Sequence, residues 1–182
     1  MSNLKQVGLA FQVWAGDNGD KYPMQVSVTN GGTMELVQSG NVFPHFLVMS
    51  NELSTPKILY CSNESDPARV QSTVFASTPG VGDSWQIPFV GDKNISYFVG
   101  VDANQTNAAM FLSGDRNITN DLPRRGSLLE LTADQPVRWT REIHVKKGNI
   151  LLTDCSAHWG STPDLREALK HTGVATNRLA MP

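Results

Sequence analysis

Residues 2–23 of the chain form the stretch SNLKQVGLAFQVWAGDNGDKYP. Its large apolar side chains recur at steps of three and four, which places them on one side of a helix; they are Leu4, Val7, Phe11 and Trp14. The polar turn at residues 16–20 ends this pattern, and Pro23 cannot continue a helix. We therefore predict an amphipathic helix over residues 2–17, with its apolar side buried against the rest of the domain.

The composition indicates one globular domain over residues 1–182, with a formal net charge of −2 and 40% hydrophobic residues. This charge balance argues against a nucleic-acid partner, because phosphate backbones require a concentrated basic surface. No stretch approaches the roughly 20 apolar residues that span a bilayer, and no signal peptide precedes the helix. Since the helix begins directly after Met1, we expect the chain to be a truncated form of a longer protein.

Residues 24–92 predict a loop-rich insertion after the first helix. Short helical pieces are expected at residues 33–39 and 42–49, and a short strand at 57–61. The segment 66–92 is rich in Ser, Thr, Gly and Pro and predicts a long irregular loop. We expect Trp85 and Phe89 to anchor this loop to the domain.

Residues 94–160 predict an antiparallel sheet, because short β-prone runs follow one another with short links. The expected strands are residues 95–101, 108–112, 137–139, 143–145 and 149–153, with 157–159 pairing to the last across a tight turn. A short C-terminal helix is predicted over residues 163–172, with Thr162 as its cap, Pro163 in its first turn and Gly173 at its end. The tail, residues 174–182, is expected to be extended, and the fold class is α+β.

Three motifs resemble prepilin-type proteins, the bacterial type II secretion pseudopilins and type IV pilin-like proteins, particularly the planctomycete and verrucomicrobial kind. The opening helix with its residue 17–23 turn is similar to the segment that follows their membrane helix. His144, nine intervening residues and Asp154 resemble the family's H-x9-D-G signature, with Cys155 in place of the usual Gly. Residues 59–62 (LYCS) are similar to the family's strand that ends in Cys-Pro-Ser-Asp, but the Pro is missing.

The resemblance implies a pilin-like head: an N-terminal helix packed on an antiparallel sheet, with long variable loops. It implies a structural filament subunit rather than an enzyme, anchored in the inner membrane with its head in the periplasm, or built into an extracellular filament. Its partners would be other pilin or pseudopilin subunits and the secretion or pilus assembly machinery. Assembly would use an upstream helix of membrane-spanning length that this chain lacks.

His144 and Asp154 are the first candidate site, and we expect them to form a structural pair that braces the strand hairpin. A catalytic role would need a nucleophile, and none has a recognisable sequence context. His158 lies close enough to Asp154 in sequence to raise a zinc site as an alternative, although no third ligand is evident.

The oxygen-rich segment at residues 114–121 is a candidate calcium site. Its ligands would be Asp115, Asn117 and Asp121, since calcium prefers carboxylate and carbonyl oxygens. Major pseudopilins bind calcium in a C-terminal loop, so the resemblance favours this interpretation. Arg116 places a positive charge within the segment, and a plain polar loop remains the alternative.

Cys61 and Cys155 are the only cysteines. In an exported protein they could form a disulfide, and otherwise they are two unrelated thiols.

Trp85, Trp139 and Trp159 support a second functional hypothesis. Grouped into an aromatic platform, they would suit an exported, membrane-tethered domain that binds carbohydrate or another ligand. Scattered, they would serve as core and loop anchors.

Overall fold

The computed structural model describes residues 2–78, 85–122 and 127–182. The α-helices are α1 (Ser2–Asp17), α2 (Phe43–Leu47), α3 (Ser50–Leu53) and α4 (Thr162–His171). The strands are β1 (Tyr97–Gly100), β2 (Phe111–Asp115), β3 (Ile118–Thr119), β4 (Leu129–Leu131), β5 (Arg138–Trp139), β6 (Lys147–Leu152), β7 (Ala157–Ser161) and β8 (Asn177–Ala180). Short 3-10 helices cover Pro23–Gln25, Val28–Asn30, Met34–Ser39, Pro56–Leu59 and Asp92–Asn94.

Helix α1 confirms the first prediction, and its apolar side is buried where the periodicity places it. Leu4, Val7 and Phe11 are each at most 1% exposed. The chain then turns back beneath the helix, and the Tyr22 hydroxyl donates a hydrogen bond to the Thr153 carbonyl at 3.2 Å. Gln12 of α1 donates to the same carbonyl at 3.0 Å. These bonds attach α1 to the end of β6.

A six-stranded sheet forms the centre of the molecule, in the order β4–β8–β1–β2–β6–β7 with every neighbouring pair antiparallel. Successive side chains of a strand point to opposite faces. One face therefore presents Val99, Leu112 and Leu151 to helix α1, and we call the apolar cluster between them the α1 core. The other face presents Phe98, Phe111 and Ile150 to helix α4, and we call that cluster the α4 core. The molecule is an α+β fold in which helices cover both faces of one sheet.

The two-stranded sheet of β3 and β5 adds Ile118 and Trp139 to the α4 core. Trp139 is 1% exposed, and its ring lies directly over Gly148 of β6. A Cβ at Gly148 would come within 2.5 Å of that ring. Only glycine allows this approach of indole to backbone.

Three expected strands differ from the structure. Residues 57–61 begin in a 3-10 helix, because Pro56 occupies its first turn and the Thr55 hydroxyl accepts from the Lys57 amide. Residues 108–110 form a turn, with the Ala109 amide donating to the Asn107 side chain, so β2 starts three residues later than predicted. Residues 143–145 form no strand. The tail, expected only to be extended, contains the strand β8.

The C-terminal part also corrects two boundaries. β8 lies between β4 and β1, so the sheet extends beyond the expected 94–160 and includes part of the tail. The cap of α4 is Ser161 rather than Thr162, because the Ser161 amide donates to the Asp164 carboxylate at 2.7 Å.

The loop-rich insertion is largely as predicted, with helical turns near residues 33–39 and 42–49. Residues 79–84 of its long loop lie outside the described part. Phe89 is 1% exposed and anchors the loop, whereas Trp85 is 68% exposed and does not. Among the described residues, no helix combines the length and apolar character needed to cross a membrane.

Candidate functional site: a buried thiol, carboxylate and imidazole

Three side chains from distant parts of the sequence meet on the α1 side of the sheet: Cys61, Asp115 and His144. One ligand atom from each lies within 4.8 Å of the others. We refer to them as the Cys–Asp–His cluster. Cys61 and His144 are 83 residues apart in sequence, so the fold alone brings them together.

Cys61 lies two residues after the end of the 3-10 helix Pro56–Leu59. The Glu64 amide donates to the Cys61 carbonyl at 3.0 Å, which closes a turn immediately after the thiol. Cys61 is 6% exposed. Burial raises the pKa of its thiol above the ordinary value, so the thiol is protonated at neutral pH.

Asp115 is the last residue of β2, and its side chain is fully buried. Asn149 of β6 holds it from the neighbouring strand: the backbone amide and the side-chain amide donate to Asp115 Oδ2 at 2.6 and 2.8 Å. Burial raises the pKa of this carboxyl despite these hydrogen bonds. Oδ1 has no hydrogen-bond partner among the described residues.

His144 lies in the segment between β5 and β6, where Val145 and Lys146 both adopt positive φ angles. This sharp turn directs the imidazole back to the sheet. Its Nε2 is 3.4 Å from Asp115 Oδ2 and 3.5 Å from Cys61 Sγ. The Trp159 ring packs edge-on against the imidazole, with centroids 4.9 Å apart.

The geometry of the cluster does not fit a Cys–His–Asp catalytic relay. In such a relay one imidazole nitrogen faces the thiol and the other faces the carboxylate, whereas here Nε2 faces both. The buried thiol is also not activated. Thiolate, imidazole and carboxylate converging on one point are instead a donor set for a divalent transition metal.

Charged and polar residues next to the cluster form a second buried network. Arg116 donates to both carboxylate oxygens of Glu64, at 2.6 and 3.0 Å, and to Glu142 at 2.8 Å. The Ser96 hydroxyl donates to Glu64 at 2.9 Å. Burial favours the neutral form of Glu64, but these hydrogen bonds outweigh it and lower the pKa of the carboxyl.

The predicted calcium ligands do not share a site. Asp115 belongs to the Cys–Asp–His cluster, and Asn117 uses its amide to donate to the Thr140 and Lys147 carbonyls at 3.3 and 3.0 Å. Asp121 forms a two-pronged ion pair with Arg138, with both contacts at 2.7 Å. The segment runs through β2 and β3 rather than forming a loop, so alternate side chains point to different neighbours.

The predicted His144–Asp154 pair is wrong. Asp154 lies in the β6–β7 turn and accepts from the Ser156 amide at 2.8 Å. His158 is bonded to the Ser156 hydroxyl at 2.8 Å rather than to Asp154. His144 pairs with Asp115 because the turn before β6 places it beside the end of β2.

The disulfide alternative is also not realised, since both cysteines are free thiols. Cys155 packs under α1 at Gly8, where an added Cβ would lie 3.3 Å from its sulfur.

The tryptophans do not form the platform expected of a ligand-binding surface. Trp139 is buried in the α4 core, while Trp85 and Trp159 are exposed.

Each member of the Cys–Asp–His cluster is a candidate residue in the sequence, but each belongs to a different hypothesis: Cys61 to the disulfide, Asp115 to the calcium site and His144 to the pair with Asp154. No spacing rule links residues 61, 115 and 144. The only local signals were the run LYCS at residues 59–62 and the histidine of the H-x9-D motif, and neither identifies Asp115 as a partner.

Comparison of the chain with protein-family models, with curated proteins and with solved structures gave no match. The resemblance to prepilin-type proteins therefore rests on the sequence motifs.

Proposed function

We propose that this chain is the head of a pilin-like subunit of a type II secretion or type IV pilus-type filament. Its opening motif and the H-x9-D pattern support this function, and an N-terminal helix lying on an antiparallel sheet is the architecture that such heads require. In such a filament the head would face the periplasm or decorate an extracellular surface. The neighbouring subunits would contact it through α1 and its upstream continuation.

The observation that carries the proposal is the outer side of α1. Leu9 is 62% exposed and Val13 is 49% exposed, and they stand one turn apart on the side that faces away from the sheet. A helix that only closed a domain would present polar residues there. Apolar residues on both sides suit a helix that packs against its own sheet and against a neighbouring helix.

Cross-linking in native cells tests the proposal. Leu9→Cys or Val13→Cys would be introduced into the full-length gene, with Cys61 and Cys155 replaced by Ser. Since each subunit then carries one cysteine, we expect oxidation to give disulfide-linked dimers whose formation depends on the prepilin peptidase. Val70→Cys, at an exposed position in the long loop, is the matched control.

Absence of the disulfide-linked dimer from both α1 variants, together with a protein mass that the peptidase does not change, would reject the filament function. An equal yield of dimer from Val70→Cys would show that the contact is not specific to α1.

A further inference from the structure

We propose that the Cys–Asp–His cluster binds one zinc ion, through Cys61 Sγ, an Asp115 carboxylate oxygen and His144 Nε2. This site is independent of filament assembly, since it is built entirely within one chain. Zinc is the divalent metal best matched to a mixed thiolate, imidazole and carboxylate set. Calcium, which prefers oxygen ligands, is not.

The distances between the donor atoms suit tetrahedral zinc. Bonds of about 2.3 Å to sulfur and about 2.0 Å to nitrogen or oxygen, at tetrahedral angles, separate S from N by about 3.5 Å and N from O by about 3.3 Å. The corresponding separations in the structure are 3.5 Å and 3.4 Å. The third separation, between Cys61 Sγ and an Asp115 carboxylate oxygen, is within 4.8 Å, so coordination would require these two atoms to approach each other by at most about 1.3 Å.

The charges also match. Zinc replaces the proton of the Cys61 thiol, which is released to solvent. The dication then faces one thiolate and one carboxylate, so the buried site is neutral. Asp115 Oδ2 lies 3.4 Å from His144 Nε2 and already accepts from Asn149. Oδ1 is buried with no hydrogen-bond partner among the described residues, and this cost is removed only if the metal contacts Oδ1 as well.

The surroundings orient the donors as outer partners of a metal site do. Asn149 fixes the Asp115 carboxylate through two hydrogen bonds, and the Trp159 ring fixes the plane of the imidazole. His144 is the most exposed member, with 13% of its side chain accessible. Three protein ligands leave one position for water.

Titration of the purified, metal-free chain with ZnSO4 tests the site, with CoCl2 as the spectroscopic probe. We expect one metal per chain, and with cobalt a thiolate-to-metal charge-transfer band. Cys61→Ser should abolish that band and weaken zinc binding at least 100-fold, and His144→Gln should weaken it at least 10-fold. CaCl2 should not compete.

Each variant has a matched control in the other cysteine and in a second histidine near the sheet edge. Cys155→Ser and His158→Gln should bind zinc and cobalt as the unmodified chain does. Circular dichroism would confirm that the variants are folded. Should Cys61→Ser unfold, alkylation of the unmodified chain replaces it, because stoichiometric zinc should slow the modification of Cys61 at least 10-fold relative to Cys155.

No metal binding by the folded chain would overturn the proposal and leave a hydrogen-bonded cluster without metal. Binding that persists in both Cys61→Ser and His144→Gln would overturn it too, since the metal would then lie elsewhere. Neither outcome bears on the α1 cross-links, so the zinc site and the filament function can fail separately.

Discussion

The two faces of the sheet are covered by helices of different character. On one face α1 buries a continuous apolar side, and two of its outward residues, Leu9 and Val13, are apolar as well. On the other face α4 buries Leu165 and Leu169, while its outward residues are polar or charged apart from Pro163. The outer side of α4 is thus polar, whereas α1 keeps exposed apolar residues on its outer side, which supports the proposed contact with a neighbouring subunit.

The polar sites follow the same division. The Cys–Asp–His cluster and the Arg116–Glu64 pair lie on the sheet face that packs against α1, where they are buried from water. The ion pair beside the α4 core, Arg138–Asp121, is exposed. Electrostatic interactions should therefore matter more for stability on the α1 side.

The largest effect should come from Phe11→Ala, which removes a fully buried ring from the centre of the α1 core. Phe11 packs edge-on against Tyr22 and Phe46, with centroids 5.6 and 6.1 Å away. We expect a loss of about 3–5 kcal/mol of unfolding free energy, measured by urea denaturation. Leu169→Ala in the smaller α4 core should cost less, about 2–3 kcal/mol. An equal or larger loss from Leu169→Ala would show that the α1 core does not contribute more to stability than the α4 core.

The next effect concerns the ion pairs. Arg116→Met should leave the buried Glu64 carboxylate without its main partner and cost about 3 kcal/mol. Arg138→Met, on the other side, should leave the midpoint of thermal unfolding almost unchanged. Both variants would be compared by calorimetry at neutral pH, and similar shifts for the two would contradict the shielding argument.

The α1 side should also make the free energy of unfolding depend on pH, through His45. This histidine is buried, and its Nδ1 is hydrogen-bonded to the Thr33 hydroxyl at 2.7 Å. Burial lowers the pKa of His45 to about 4 from its ordinary 6.5. The unfolded chain thus binds the proton first, and the stabilisation that is complete above pH 6.5 is lost as the pH falls towards 4. The loss over this range is about 3 kcal/mol.

Urea denaturation across the same pH range checks this, with His45→Gln expected to flatten the dependence by that amount. Thr33→Val is the control: it removes the hydrogen bond but not the burial, so the slope should persist. A slope that disappears in Thr33→Val would assign the effect to the hydrogen bond rather than to desolvation.

The smallest effect on stability should come from Leu9→Ser and Val13→Ser, within about 0.5 kcal/mol because these side chains are exposed. The same changes should strongly reduce assembly of the full-length protein, measured by recovery of sheared filaments. A large loss of folding stability would show that these residues serve the domain rather than a neighbour.

Local patterns predicted α1, the β6–β7 hairpin and the position of α4, because each depends on periodicity or on a turn within a few residues. The sequence did not identify β8 as a strand of the sheet, because residues 177–180 form a strand only through their pairing with β1 and β4. The Cys–Asp–His cluster was missed for the same reason. Its three side chains come together only when β2 pairs with β6 and the turn after His144 directs the imidazole to the end of β2.

The position of β8 has a consequence for the order in which the molecule can form. Val99 of β1 pairs with Ala180, so the sheet stays split between β4 and β1 until residue 180 has been synthesised. Contacts this distant in sequence form slowly, because a long loop must close before they contribute. A nascent chain would therefore remain without its finished sheet while it leaves the ribosome. Until residues 177–180 are available, one edge of β1 and the paired edge of β4 have no partner strand.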